Sequence, residues 1–231
     1  MSDGLKRNMQ YLSRYQFRVM TYYVGFGILY GIAMAFFLSE SKAESWQNGL
    51  GFFRLFLVIA VTSTQISVVK SQLPFVLSLS SRRSDLIRGH FIMTVEMVLE
   101  ASVLLAIGNL IGAPHQSVAD LGAVFLKYVV LLLITSSMGV LIGLLPAGMG
   151  AVVARIVMIV VFAIAISIVT AISAAISREE TVMNLLSGLA GQNTDTFVVV
   201  IGVVCAVTAC VLTILAHGMV ARKVRKMEVQ F

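Results

Sequence analysis

Apolar residues are concentrated in six long runs along the chain, and polar residues fall mainly between them. A helix needs about 20 mostly apolar residues to cross the hydrocarbon core of a bilayer. The six runs are residues 19–38, 50–69, 89–112, 122–145, 151–176 and 197–219. The pattern predicts an all-α polytopic membrane protein, with six transmembrane helices in a single domain over residues 1–231. An even number of crossings places both termini on the same side.

Composition and charge agree with a bilayer as the natural solvent. Hydrophobic residues make up 58% of the chain and charged residues only 12%, with a mean hydropathy of +0.95; a soluble domain of this length needs more polar cover. Most Lys and Arg residues lie before the first run, between the second and third, and after the sixth. The positive-inside rule then places the N- and C-termini in the cytoplasm. The net charge of +6 is interpreted as membrane-side anchoring, not as a nucleic-acid patch.

Two polar connecting segments carry short helical patterns. In residues 1–18, Leu5, Met9 and Leu12 follow a helical spacing beside basic residues, which predicts an interfacial helix rather than a simple basic anchor. In residues 177–196, Ser177 and Glu180 match a capping box and precede an apolar face. We expect a short extracellular helix or helical hairpin there, and an ordered outer loop is the alternative.

The stretch between the second and third runs has a different character. Its residues 74–80 begin with proline, which suits the first turn of a helix, and continue with an apolar run too short to cross a membrane. The residues concerned are Pro74, Phe75, Val76, Leu77, Leu79 and Ser80, followed by Arg82 and Arg83. A short helix has little stability alone, so this one requires a partner. That partner could be the lipid headgroups or a groove on a soluble protein, and the sequence does not decide between them.

Five charged residues fall within the bounds of the predicted spans, and Lys127 and Arg155 lie near the ends of theirs. The other three, Arg54, Glu96 and Glu100, are interpreted as intramembrane charges, each of which costs about 2.5–3.5 kcal/mol. Glu96 and Glu100 share a helix face, so their repulsion favours a protonated or paired state for one of them. We expect an Arg54–Glu100 pair, with Glu96 nearer the cytoplasm. A static brace between helices, the lining of a substrate path and proton coupling remain the three interpretations.

The sequence lacks the usual patterns of an enzyme. It contains no GxxxxGK[ST] phosphate loop, no GxGxxG and no HExxH. Its three histidines lie at or near the span ends without ligand spacing, and Cys205 and Cys210 are interpreted as reduced, buried residues. We therefore expect neither an enzyme nor a metal site. Uphill transport would draw its energy from an ion gradient or from another polypeptide.

The order of these parts resembles the membrane subunit of bacterial type-2 ABC exporters. That family has a basic interfacial helix, a short cytoplasmic helix between spans two and three, and an outer hairpin between spans five and six. The segment "LPFVLSLSSRRSDLIRGH" is similar to a turn common in permeases of this family. The resemblance implies that residues 74–80 are the coupling helix that docks on a separate ATP-binding subunit.

The resemblance also implies a location in the bacterial cytoplasmic membrane, partners and a route. A second permease subunit, identical or similar, would complete a dimer, and ATP and Mg would be bound by the partner ATPase. The cargo path would lie at the dimer interface. Candidates to line it, in addition to Arg54, Glu96 and Glu100, are Tyr22, Tyr23, Tyr30, Thr62 and Gln65.

Several functions remain open. Exporters of amphipathic peptides, such as phenol-soluble modulins and bacteriocins, are the first expectation within the family. Drug or antibiotic efflux comes second, and lipid or glycan export third. Outside the family, Glu96 and Glu100 could serve an ion-coupled secondary transporter or channel, although inverted repeats are not evident. A membrane scaffold or sensor subunit is the remaining class.

Overall fold

The described part of the chain is helical throughout. A computed structural model describes residues 3–38, 42–78, 82–112, 118–145 and 194–227. No strand occurs within these ranges, which confirms the all-helical expectation for them. Within the described ranges, four helices are long and apolar enough to cross a membrane, and they indicate a membrane-embedded protein.

The first helix, α1, extends without interruption over Asp3–Leu38. The expected division into an interfacial helix, 1–18, and a first span, 19–38, is therefore absent. The reason is a buried stripe at helical spacing that crosses the expected boundary without a Gly or Pro to break it. This stripe consists of Leu5, Asn8, Leu12, Gln16 and Met20.

The second span and the expected short helix also form one rod. Helix α2 (Lys42–Ser67) continues into a π-helical turn, Val68–Gln72, and then into α3 (Leu73–Ser78). The π-turn ends in a bond from the Leu73 N–H to the Val68 carbonyl. It lies immediately before Pro74, which has no N–H to donate. The expected helix 74–80 is thus the end of a longer helix, and Leu79 and Ser80 lie outside the described residues.

Three further helices match predicted spans. They are α4 (Arg83–Gly112), α5 (Val118–Leu144) and α6 (Thr194–Lys226). Each helix begins before the predicted span, because its first turns include polar residues that precede the apolar run. The predicted fifth span, 151–176, lies outside the described residues, as does the outer segment up to residue 193.

The chain forms two compact units, Met1–Leu144 with Thr213–Phe231, and Leu145–Leu212. In the second unit, the described residues are Leu145 and the first part of α6. In the first unit, contacts between side chains fix the directions of the helices. Ser13 and Gln16 bond to Glu96 and Glu100, so α1 and α4 are parallel. Helix α2 is antiparallel to α4, and therefore to α1, as the pairs Gln65–Thr94 and Arg54–Asn109 show. It is parallel to α5, as the pairs Thr62–Gly139 and Ile66–Gly143 show.

The apolar core of the first unit lies at the end where the two ends of the described chain meet. Arg83 Nη2 donates to the Met227 carbonyl at 2.7 Å, and a Cβ placed on Gly4 would lie 2.9 Å from Asp85 Oδ2. The core joins residues from α1 to α6, among them Leu12, Val69, Leu73, Leu86, Val140 and Val224. The basic segments at the two termini and between α3 and α4 therefore gather at one end.

Two glycines allow α5 to approach α2 closely. A Cβ at Gly139 would lie 2.7 Å from the Thr62 carbonyl oxygen and 3.0 Å from Gln65 Cβ. A Cβ at Gly143 would lie 2.8 Å from Val69 Cβ. Small residues at such crossings allow backbones to come together in membrane proteins.

Gly139→Ala should destabilise the fold, because the backbone carbonyl of Thr62 cannot move aside cheaply. We expect a loss of about 1–3 kcal/mol, measured as a lower melting temperature in detergent. Gly122→Ala is the matched control on the same helix, since a Cβ there meets nothing within 4 Å. Equal melting temperatures for the two variants would contradict the close approach.

Candidate functional site

A cleft of about 640 Å³ separates α1 from α4. Seven of the residues that line it are polar or charged: Ser13, Arg14, Gln16, Arg18, Thr21, Glu96 and Glu100. Phe17 and Tyr22 add aromatic side chains to its α1 wall. Its position brings Glu96, Glu100 and Tyr22 together, three of the residues expected to line a substrate path.

Two hydrogen bonds fix the register of the parallel helices across this cleft. Ser13 Oγ donates to Glu96 Oε2 at 2.8 Å, and Gln16 Nε2 donates to Glu100 Oε2 at 3.2 Å. The bonds are one helical turn apart on each helix. Gln16 is only 2% exposed, and its Oε1 has no hydrogen-bond partner in the described part of the chain.

Opposite charges border the cleft without neutralising each other. Arg14 and Arg18 lie on α1, and Glu96 and Glu100 lie on α4. The carboxylates bond to uncharged side chains of α1, and among these four described residues no ion pair forms. Separated charges of both signs therefore remain available to a third molecule.

The expected Arg54–Glu100 pair is not formed. Arg54 Nη2 instead donates to Asn109 Oδ1 at 3.1 Å, and its guanidinium lies 5.6 Å from the centre of the Tyr128 ring. Asn109 Nδ2 in turn donates to the Tyr128 hydroxyl at 2.6 Å. Asn109 lies nine residues beyond Glu100, about 13 Å along the helix. That rise exceeds the reach of one arginine side chain, so Arg54 donates through Nη2 to an uncharged amide instead, and its buried Nε has no partner among the described residues.

The remaining predicted path residues do not share a surface. Thr62 is buried and bonds its own helix at the Val58 carbonyl, and Gln65 is fully buried. Tyr30 packs at 5.4 Å from the Phe52 ring, at the end of α1 remote from the cleft. Tyr23 is half-buried.

The predicted coupling residues are divided by burial. Val76 and Leu77 are buried in the core of this chain, whereas Pro74 is exposed and Phe75 is 48% exposed. Arg82 is exposed, and Arg83 donates a hydrogen bond to the Met227 carbonyl. One side of the segment is thus packed in the core of this chain, and the other side is exposed.

A buried hydrogen-bond network joins three helices at a place that sequence reasoning missed. Gln65 Nε2 donates to Thr94 Oγ1 at 2.9 Å, and Gln65 Oε1 lies 3.0 Å from His90 Nε2. His217 Nε2 lies 3.3 Å from Thr94 Oγ1, and the two imidazole rings are 5.0 Å apart. The available signal was the i, i+4 spacing of His90 and Thr94 on one face of α4.

The partners assign the protons of this network. The Thr213 carbonyl can only accept, so His217 Nδ1, at 2.8 Å, carries the hydrogen. Because Gln65 donates through its amide nitrogen, its oxygen accepts from His90 Nε2. Thr213 also meets Ser137 of α5 at 3.0 Å, which extends the network to a fourth helix. The described residues hold no group of three potential metal ligands.

Comparisons with protein-family models, curated proteins and solved structures find no match. The fold and its polar features define a class: a helical membrane-type protein. It has a charged cleft between parallel helices and a buried polar network beside it.

Thr94→Val should destabilise the chain, because it leaves buried polar atoms of Gln65 and His217 without a partner. We expect a loss of about 1–3 kcal/mol, measured by denaturation in detergent. Thr62→Val is the matched control: Thr62 is also buried and also bonds the carbonyl four residues earlier, but contacts no other side chain through its hydroxyl. Equal losses would show that the network contributes nothing beyond that local bond.

A double-mutant cycle distinguishes the observed partner of Arg54 from the expected one. Arg54→Met combined with Asn109→Leu should show an interaction energy of about 0.5–3 kcal/mol, because the two side chains are in contact. Arg54→Met combined with Glu100→Gln should be additive within about 0.5 kcal/mol. Coupling only in the second pair would contradict the observed geometry.

Proposed function

We propose that this chain is the membrane subunit of an ATP-driven type-2 ABC exporter. It would work with a separate ATP-binding subunit, which holds ATP and Mg, and with a second permease subunit. The observation that carries the proposal is the short helix α3: one side is fixed in the core, and the other exposes Pro74 and Phe75. In this proposal, the end of the first unit where the chain ends meet faces the cytoplasm.

The exposed side of α3 supports docking because it is aromatic. Phe75 packs beside Tyr11 with ring centres 5.8 Å apart, and both rings are partly exposed. Aromatic residues are enriched where binding energy is concentrated at protein interfaces. Arg82, also exposed, adds charge near this surface.

Helix α1 supplies a route from α3 to the cleft. The Tyr11 hydroxyl donates to Gln72 Oε1 at 2.8 Å, in the π-turn before α3. Within the next turn and a half of α1, Ser13 and Gln16 bond Glu96 and Glu100. A force applied to α3 would therefore act through α1 on the spacing of the cleft walls. This coupling suits a transporter in which a partner ATPase drives the motion.

Helix directions support the six-span topology included in this proposal. The C-terminal part of α6 is antiparallel to α4, through His217–Thr94 and Met227–Arg83, as α5 is through Tyr128–Asn109. Helices α5 and α6 correspond to spans four and six and are parallel. Parallel directions are expected when one further span lies between them in the sequence. The basic segments at one end agree with termini in the cytoplasm.

Amphipathic peptides are the cargo class within this proposal. Exposed aromatic side chains on α1, among them Phe17, Tyr22 and Phe26, lie beside a cleft that carries both signs of charge. This mixture suits cargo that is both apolar and charged, and drug efflux is the alternative cargo. An ion-coupled carrier that uses Glu96 and Glu100 is the rival mechanism, since both carboxylates line the cleft.

Phe75→Asp should abolish docking of the ATPase, because it places a charge in an aromatic contact. The chain would be co-expressed with candidate ABC ATPases from its source organism. We expect co-purification to fall by about tenfold or more, as for loss of a central interface residue. Phe75→Leu should retain docking, and Arg222→Asp controls for added negative charge at the same end.

The energy source distinguishes the rival mechanism. In vesicles containing both subunits, export of an amphipathic peptide should require ATP and persist without an ion gradient. Export driven by a proton or sodium gradient, and unaffected by Phe75→Asp, would overturn the proposal in favour of the secondary transporter.

A further inference from the structure

We propose that the cleft between α1 and α4 binds the headgroup of a zwitterionic phospholipid that carries a primary ammonium. The ammonium would lie at Glu96, Glu100 and Gln16, and the phosphate would lie between Arg14 and Arg18. This site does not depend on the proposed export function, because it rests on the cleft alone.

Three oxygen acceptors on the inner side of the cleft fit a primary ammonium. Glu96 and Glu100 each direct Oε2 to α1, which leaves Oε1 of each without a hydrogen bond in the described part of the chain. Gln16 adds a buried Oε1 that also lacks a partner. A primary ammonium has three N–H donors and no acceptor, so it can donate to both free carboxylate oxygens. It reaches the covered Gln16 oxygen once that side chain turns toward the cleft. The orphaned amide oxygen is what distinguishes this place from a simple acidic cluster.

Two arginines on the facing wall fit a phosphate. Arg14 and Arg18 are one turn apart on α1, so their side chains leave the same face. Both line the cleft, at the same levels along the helices as Ser13–Glu96 and Gln16–Glu100. The planar guanidinium binds phosphate oxygens in pairs. A phosphodiester and an ammonium on one headgroup would therefore bridge the two walls.

Apolar side chains continue from the charged part of the cleft. On α1, Phe17 is 68% exposed and Tyr22 is 66% exposed, and on α4 Leu99 and Val103 are also exposed. These surfaces could pack against acyl chains, which contribute about 0.8 kcal/mol for each buried CH₂. A lipid satisfies both the charged and the apolar parts at once.

The balance of charge favours a zwitterion over an ion of one sign. Two arginines and two glutamates line the cleft. An anionic lipid would leave the carboxylates and the Gln16 oxygen without donors, and a purely cationic ligand would leave the arginines without acceptors. A bound lipid would cover these groups, of which Arg14, Arg18 and Glu100 are exposed in its absence, and would remove the hydrogen bonds that water gives them, which is costly. A quaternary ammonium, which has no N–H, would also leave these oxygens unsatisfied.

Native mass spectrometry of the full chain in detergent tests the proposal directly. Phosphatidylethanolamine, phosphatidylcholine and phosphatidylglycerol with identical acyl chains are the probes. We expect phosphatidylethanolamine to bind about tenfold more tightly than the other two, because it alone offers both ammonium donors and a phosphate.

Substitutions separate the two halves of the site. Glu96→Gln with Glu100→Gln retains acceptors for Ser13 and Gln16, and should reduce phosphatidylethanolamine to the affinity of phosphatidylcholine. Arg14→Gln with Arg18→Gln should weaken all three lipids. Asp3→Asn and the pair Arg222→Gln with Arg225→Gln remove similar charges from exposed positions outside the cleft, and should change nothing. Single variants, with melting curves to verify folding, replace any pair that fails to fold.

Three results would overturn the proposal. One is equal binding of phosphatidylglycerol and phosphatidylethanolamine. Another is a lipid preference unchanged by the glutamate variants. The third is displacement of phosphatidylethanolamine by an amphipathic peptide with a free N-terminal amine, at lower concentration than the lipid itself, which would assign the cleft to cargo.

Discussion

The arrangement of the helices depends on one constraint: in a bilayer, a polar side chain must find its partner within the protein. Gln65, on α2, illustrates how this orders the bundle. Its amide forms hydrogen bonds with Thr94 and His90 of α4 at the same time. Thr94 is also hydrogen-bonded to His217 of α6. Each of these bonds is possible only in one register of the helices. The polar residues therefore specify which faces meet, while the apolar residues around them contribute close packing.

The same constraint is left incompletely met at the cleft, and this is why the cleft is the candidate site. Among the described residues, the buried Gln16 Oε1 has no partner, and two carboxylates and two guanidinium groups line the cleft without pairing. Arg54 is also incompletely satisfied at its Nε, but its Nη2 donates to Asn109 and its guanidinium lies near the Tyr128 ring. The charge of Arg54 therefore contacts side chains of this chain, whereas the charges at the cleft do not contact each other.

Sequence reasoning identified the helical class and helices at the positions of spans two, three, four and six, and it singled out Glu96 and Glu100, which both line the cleft. It placed breaks where the structure has none. Residue 18 and the approach to Pro74 both lie inside continuous helices, because buried stripes and a π-turn outweigh the local change in polarity. The prediction of an Arg54–Glu100 pair was wrong. Opposite charges on neighbouring helices suggest an ion pair, but Arg54 lies at the level of Asn109, too far along α4 from Glu100.

The sequence by itself determined that this chain is helical and apolar enough for a membrane, and which segments are basic. These properties follow from composition and from the 3.6-residue repeat, which need no knowledge of neighbouring helices. Only the tertiary structure decided that His90 lies beside His217, and that Ser13 and Gln16 rather than Arg54 hold the glutamates. Those contacts depend on the register and direction of helices far apart in sequence. A displacement of one helix by a single turn, about 5.4 Å, would exchange every partner while leaving the sequence pattern unchanged.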